Sequence, residues 1–149
     1  TFFQQWIADL ATSDRPLTIA PIHGDYHGGN LLMSGAEVTA LLDWDGCHLD
    51  WLVMDVANAI WEFCQGEDDA HTLNTDAAHS FLQVYVAAGG PIAEQEFDLI
   101  LPFIRCRRMI KVMSSLRGIV TGEDWDNSPD YLLHNLISLE NLHGVNLVT

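Results

Sequence analysis

Apolar positions follow two different periods along this chain, and the change of period divides it. Phe3, Trp6, Ile7 and Leu10 recur at i, i+3, i+4 and i+7, the stripe of a helix over residues 2–12 that Pro16 ends. Residues 17–22 are a short apolar approach to a polar stretch. Leu31-Leu32-Met33 and Val38 to Leu42 flank Ser34-Gly35, which predicts a small β-hairpin. Beyond it the period is helical. Residues 53–64 are rich enough in apolar positions to predict a buried helix. Residues 76–88 predict another, closed by Gly89-Gly90-Pro91. Glu94 to Leu101 starts a further segment, and Pro102 fits the first turn of a new one or a kink. Residues 103–120 predict a long helix and 129–143 the last, with Pro129 near its start. The fold class is therefore α+β and mostly α-helical, without internal repeat.

The polar residues around the hairpin carry the chemistry. Residues 22–32 read IHGDYHGGNLL and residues 40–46 read ALLDWDG. Asp25 and Asn30 form a D-x-x-x-x-N pair, and Asp43 follows at the end of an apolar run. That is the order of a catalytic loop and metal-binding Asp in kinase-type phosphoryl transfer. Transfer to a hydroxyl needs a carboxylate that orients the nucleophile and accepts its proton, a task for Asp25. It also needs a divalent cation to neutralise the phosphate oxygens. Asn30 and Asp43 suit Mg²⁺, which takes hard oxygen ligands and commonly only one or two carboxylates. The hairpin should return Asp43 to the side of Asn30. His23 is placed to steady the loop from behind, and Gly24, Gly28 and Gly29 permit tight turning. A plain Gly-rich turn would explain HGD alone, but not the whole succession.

These residues resemble the aminoglycoside phosphotransferase family, which includes choline, homoserine and methylthioribose kinases. The resemblance rests on His23-Gly24-Asp25 with Asn30, then Leu42-Asp43-Trp44, then Asp55-Val56-Ala57, over roughly residues 20–60. It implies the C-terminal lobe of a protein-kinase-like fold, with residues 1–149 as a single domain. It implies ATP and Mg²⁺ as cofactors, Asp25 as catalytic base, Asn30 and Asp43 as Mg²⁺ ligands, and Asp55 as a structural anchor of the catalytic loop. Helix capping is the plainer account of Asp55, and one carboxylate can do both. The metal motif departs from the protein-kinase D-F-G, reading D-W-D-G, which leaves Asp45 as an extra carboxylate for the substrate side. A Gly-rich phosphate loop and a lysine strand are not found in the chain. The expectation is a C-terminal lobe cut from a longer enzyme, whose N-terminal lobe would be its partner.

Composition narrows the partners. The net charge is −15 with only six Lys and Arg, which opposes nucleic-acid binding. No apolar run reaches the roughly 20 residues of a membrane span. Cys47, Cys64 and Cys106 are too scattered for a metal motif, so buried reduced thiols in a cytoplasmic protein are expected. His23 and His27 have the spacing of a helical zinc pair, but the glycines between and after them argue against a helix. Glu67-Asp68-Asp69 looks like a solvated loop. Asp124, Trp125 and Asp126, with Glu62, are candidates for an acidic wall that receives an amine. Arg107 and Lys111 share a helix face read as solvated. Arg105 falls on the apolar side, so it should pair with Glu62 or Asp55, or else meet a substrate carboxylate. The function expected is ATP- and Mg²⁺-dependent phosphorylation of a hydroxyl on an amine-bearing small molecule, such as an aminoglycoside or an amino alcohol like homoserine. The alternative is a kinase-like binding or regulatory module that has lost catalysis.

Overall fold

A computed structural model of the chain describes residues 16–122 and 128–147. The predicted helix over residues 2–12, and Asp124, Trp125 and Asp126, lie outside the described residues. What is described is mixed α+β, mostly helical, with short antiparallel strand pairs. Strand β1 (Ile19–Ile22) pairs with β4 (His48–Trp51), and β2 (Leu31–Ser34) pairs with β3 (Glu37–Leu41). The hairpin is the predicted one, and Gly35 turns it at a positive φ of 63°. Strand β4 was not predicted. Only Leu49 and Trp51 are apolar in it and both are exposed. Its pairing is made with a partner well upstream, which no local pattern reveals.

Four helices follow: α1 (Val53–Phe63), α2 (Thr75–Ala87), α3 (Ile100–Thr121) and α4 (Pro129–Asn141). Asn74 caps α2 by accepting from the Ala77 N–H at 3.0 Å, and Gly89 ends the following turn at φ 84°. The segment from Glu94 to Leu99 is a 3₁₀ turn that runs straight into α3, so Pro102 sits in the first turn of α3, where its missing N–H costs no helical bond.

The core forms around α1. Val53, Val56, Ala57, Ile60 and Trp61 are buried in it, against Ile100, Leu101 and Ile104 of α3, Ala78 and Leu82 of α2, and Leu142. Helix α3 packs on α1 and on α4. Its buried line is Leu101, Ile104, Arg108, Val112 and Ser115, the 3–4 spacing of one helix face. That line is rotated from the expected one. Leu116 and Val120 are exposed and Arg105 is half-buried. Glu62, one of the acids expected to meet Arg105, meets Arg108, whose guanidinium lies 3.5 Å from it and over the Trp61 ring. Arg105 donates to the carbonyls of Leu142 (2.6 Å) and Val145 (3.3 Å), fastening the turn after α4. The contact between α3 and α4 is polar at its centre, with Ser115, Asn135 and Ser138 buried there.

Cys64 is buried and Cys106 partly so, but Cys47 is exposed, which corrects the expectation of three buried thiols; all three are free. No helix among the described residues is long and apolar enough to cross a membrane.

Glu96 ties the entry strand to the helices. It is fully buried and accepts from the Thr18 hydroxyl at 2.6 Å, the Thr18 N–H at 3.1 Å and the Ala93 N–H at 3.3 Å. Removing an acceptor for buried donors costs their desolvation. Glu96→Ala should therefore lower unfolding free energy by about 2–3 kcal/mol. Urea unfolding checks this, and an unchanged midpoint would deny Glu96 its structural place.

Candidate active site

Asp55, in the first turn of α1, organises the loop. Its carboxylate accepts the backbone N–H of His23 and, at 3.0 Å, that of Gly24. Asn58, one turn along the same face, donates to the Tyr26 carbonyl at 2.6 Å. Tyr26 in turn packs edge-on against Phe63. Three successive turns of α1 thus hold residues 23–26. Gly24 takes φ 81°, and a Cβ there would meet the Gly46 carbonyl oxygen at 3.0 Å. The two loops pass back to back at this point, and only glycine fits. Gly28 and Gly29 do not use positive φ among the described glycines.

His23 is buried behind the loop. Its Nε2 is 2.7 Å from the Leu42 carbonyl, so that nitrogen carries the proton and donates. Its Nδ1 is then free to accept the Asp25 N–H at 3.3 Å. The imidazole bridges the Asp25 loop to the strand end before Asp43, and Trp44 packs edge-on against it at 5.0 Å. This is the bracing position expected of His23.

The hairpin brings Asn30 and Asp43 together. Leu31 pairs with Leu41, and the Leu42 N–H donates to the Asn30 carbonyl at 2.8 Å. The Asn30 amide donates to the Asp25 carbonyl at 3.0 Å. That bond orients the amide so that its oxygen remains available. Asp43 stands at φ 59° and ψ 64° and is the one non-glycine residue at positive φ among the described residues. A left-handed residue with a Cβ costs about 1–2 kcal/mol. Asp43 spends nothing of its side chain on capping the Trp44–Gly46 turn that follows. Two oxygen donors, one carboxylate and one amide, on adjacent backbone are a donor set that fits Mg²⁺ with phosphate oxygens completing its shell. Asp45 is exposed in the same turn.

Asp25 faces α3. Its Oδ1 lies 2.7 Å from Arg107, whose other terminal nitrogen donates to the Gly24 carbonyl at 2.9 Å. Arg107 is thus drawn into the loop, which corrects its reading as a solvated residue. His27 Nε2 is 3.4 Å from Oδ2. A cleft of about 340 Å³ opens beside this carboxylate, lined by Trp61, Glu62, Arg108, Lys111, Tyr131 and His134 among others. Burial presses the Arg108 guanidinium below its ordinary pKa, against which Glu62 pulls upward. Burial also lowers His134, with His71 and Arg108 acting in the same direction. Of the expected acceptor residues, Glu62 lines the cleft, whereas Arg105 lies at the carbonyls after α4.

Asn58 and Arg107 are the residues that sequence reasoning missed. Asn58 stood three positions after Asp55, on the same helix face, and that spacing was a usable signal. Arg107 had none, because its partner is a loop far away in sequence.

A profile of the Phosphotransferase enzyme family matches residues 2–97. No curated protein matches the chain significantly.

If Asp55 carries the loop, Asp55→Ala leaves two backbone donors unmet. Stability should fall by about 2–3 kcal/mol. The amides of His23 and Gly24 should lose protection in hydrogen exchange, while those of α2 keep theirs relative to global unfolding. Unchanged protection at both amides would show that something other than Asp55 holds the loop.

Proposed function

The chain belongs to the phosphotransferase enzyme family, and we propose that it forms the C-terminal, catalytic lobe of a protein-kinase-like enzyme that transfers the γ-phosphoryl group of ATP to a hydroxyl of a small molecule. The observation that carries this reading is the register of the β2–β3 hairpin, with Asp43 beside Asn30 and Asn30 bonded to the backbone of Asp25. Base and metal ligands in such a cluster are what phosphoryl transfer requires, since its catalysis is mostly positioning and charge stabilisation.

In this reading the acceptor lies in the cleft with its hydroxyl at Asp25. Arg107 holds Oδ1, and Oδ2, with His27 Nε2 3.4 Å away, takes the hydroxyl proton as the acceptor oxygen bonds to phosphorus and the bond to the leaving ADP oxygen breaks. Asn30 and Asp43 would hold Mg²⁺, which when bound neutralises charge on the phosphate oxygens. His23 keeps the two loops in register. Glu62 also lines the cleft, where an amine on the acceptor would share it with Arg108. The glycine loop and lysine that cover the phosphates in this family are assigned to another lobe of the enzyme.

Asp25→Asn keeps the shape of the side chain and removes the base. In the full-length enzyme it should lower kcat by roughly 10²–10⁴-fold, with nucleotide binding retained, as steady-state kinetics and calorimetry would report. Turnover like that of the unaltered enzyme would remove Asp25 from the mechanism. A chain that binds nucleotide but turns over no hydroxyl acceptor, altered or not, would support the binding-module alternative.

A further inference from the structure

The cleft beside Asp25 is basic in an acidic molecule. The chain has six Lys and Arg against 21 Asp and Glu. Arg107, Arg108 and Lys111, half of those cations, line this one cleft, against the two carboxylates of Asp25 and Glu62. With the imidazoles neutral, the walls carry a net positive charge while the molecule as a whole carries −15.

The three cations are not equivalent. Arg108 is almost wholly buried and occupied by Glu62 and by Asn135 at 3.3 Å. Arg107 is occupied by Asp25 and the Gly24 carbonyl. Lys111 lines the cleft one turn beyond Arg107 and makes no ion pair among the described residues. Like charges at i and i+4 weaken a helix by about 0.2–0.5 kcal/mol, and Arg107 and Lys111 are placed so. A solvated helix face would let them spread into water. Here Arg107 is only 27% exposed at its side chain and Lys111 is partly buried. Tyr131 adds a phenol to the same wall. Low-dielectric walls strengthen the field that such charges exert on a ligand.

We propose that the acceptor carries an anionic group, a carboxylate or a phosphate, as well as its hydroxyl, and that Lys111 receives this group within the field of Arg107 and Arg108. This rests on the phosphotransferase reading of the same site. It makes Lys111 a specificity-determining residue for small hydroxy acids or phosphorylated alcohols, which a cleft of about 340 Å³ accommodates. An amine on the same molecule would share Glu62 with Arg108.

The test is binding of three probes to the full chain by calorimetry, without nucleotide or divalent metal: glycerol, glycerate and glycerol 3-phosphate. All three carry hydroxyls, and only the last two carry an anion. At least one of those two should bind about tenfold or more tightly than glycerol, the worth of one charge-assisted hydrogen bond. Which one does identifies the anion as carboxylate or phosphate. Lys111→Gln should abolish the difference and Lys111→Arg should retain most of it, with circular dichroism confirming the fold of both. Equal binding of all three probes, or an anion preference that survives Lys111→Gln, would overturn the proposal. Because no phosphoryl transfer is measured, failure of the kinase reading would leave this result standing. Turnover of acceptors without any anion preference would sink this inference alone.

Discussion

Two backbone N–H groups pointing at one carboxylate hold this site together. Asp55 accepts from His23 and Gly24, and the candidate base and metal ligands hang from that turn. A loop of glycines and polar residues has little apolar surface with which to order itself, so its conformational entropy must be offset by bonds. Hydrogen bonds to a charged acceptor contribute about 1.5–3 kcal/mol each, enough to fix one geometry. Asp55 can supply them because α1 is anchored by its buried face. Val53, Val56, Ala57 and Ile60 around it are buried in the core. Hydrophobic burial thus sets the helix, and the helix then sets the loop through Asp55 and Asn58.

The other side of the site is built differently. Helix α3 brings Arg107 to Asp25 and Arg108 to Glu62, and both guanidiniums are largely withdrawn from water. Desolvation cancels much of what such pairs gain, so they are weak evidence for stability. Their effect is on position. Arg107 spans the Gly24 carbonyl and the Asp25 carboxylate, and so fixes the direction of the candidate base. Arg108, stacked over Trp61 and bonded to Asn135, links α1, α3 and α4 around the cleft. Small and polar residues at the α3–α4 contact give these helices a specific seat where a purely apolar contact could slide.

Local chemistry was legible in the sequence and long-range geometry was not. The hairpin, α1, α2 with its Gly89 stop, and the run from Pro102 into α3 follow from patterns within a few residues. So does the meeting of Asn30 and Asp43, because a short hairpin leaves its two ends side by side. Strand β4 escaped because its pairing with β1 spans the candidate site loops and its side chains are mostly exposed. The rotation of α3 escaped for a related reason. Its apolar residues lie all round the helix, so the wheel allows several buried faces, and the buried one contains an arginine. Glu62, Asn135 and the Trp61 ring across the interfaces make Arg108 tolerable there. The carbonyls of Leu142 and Val145 that Arg105 binds were not foreseen, because backbone acceptors leave no mark in a sequence.

We propose that Asn30 and Asp43 together hold a divalent cation beside Asp25. Paramagnetic broadening tests it directly. Mn²⁺ added with ATP at substoichiometric levels should broaden the amide and side-chain signals of Asn30, Asp43 and their immediate neighbours first, and leave the exposed acidic loop at Glu67, Asp68 and Asp69 sharp. Broadening centred on that loop, with Asn30 and Asp43 unaffected, would contradict the account.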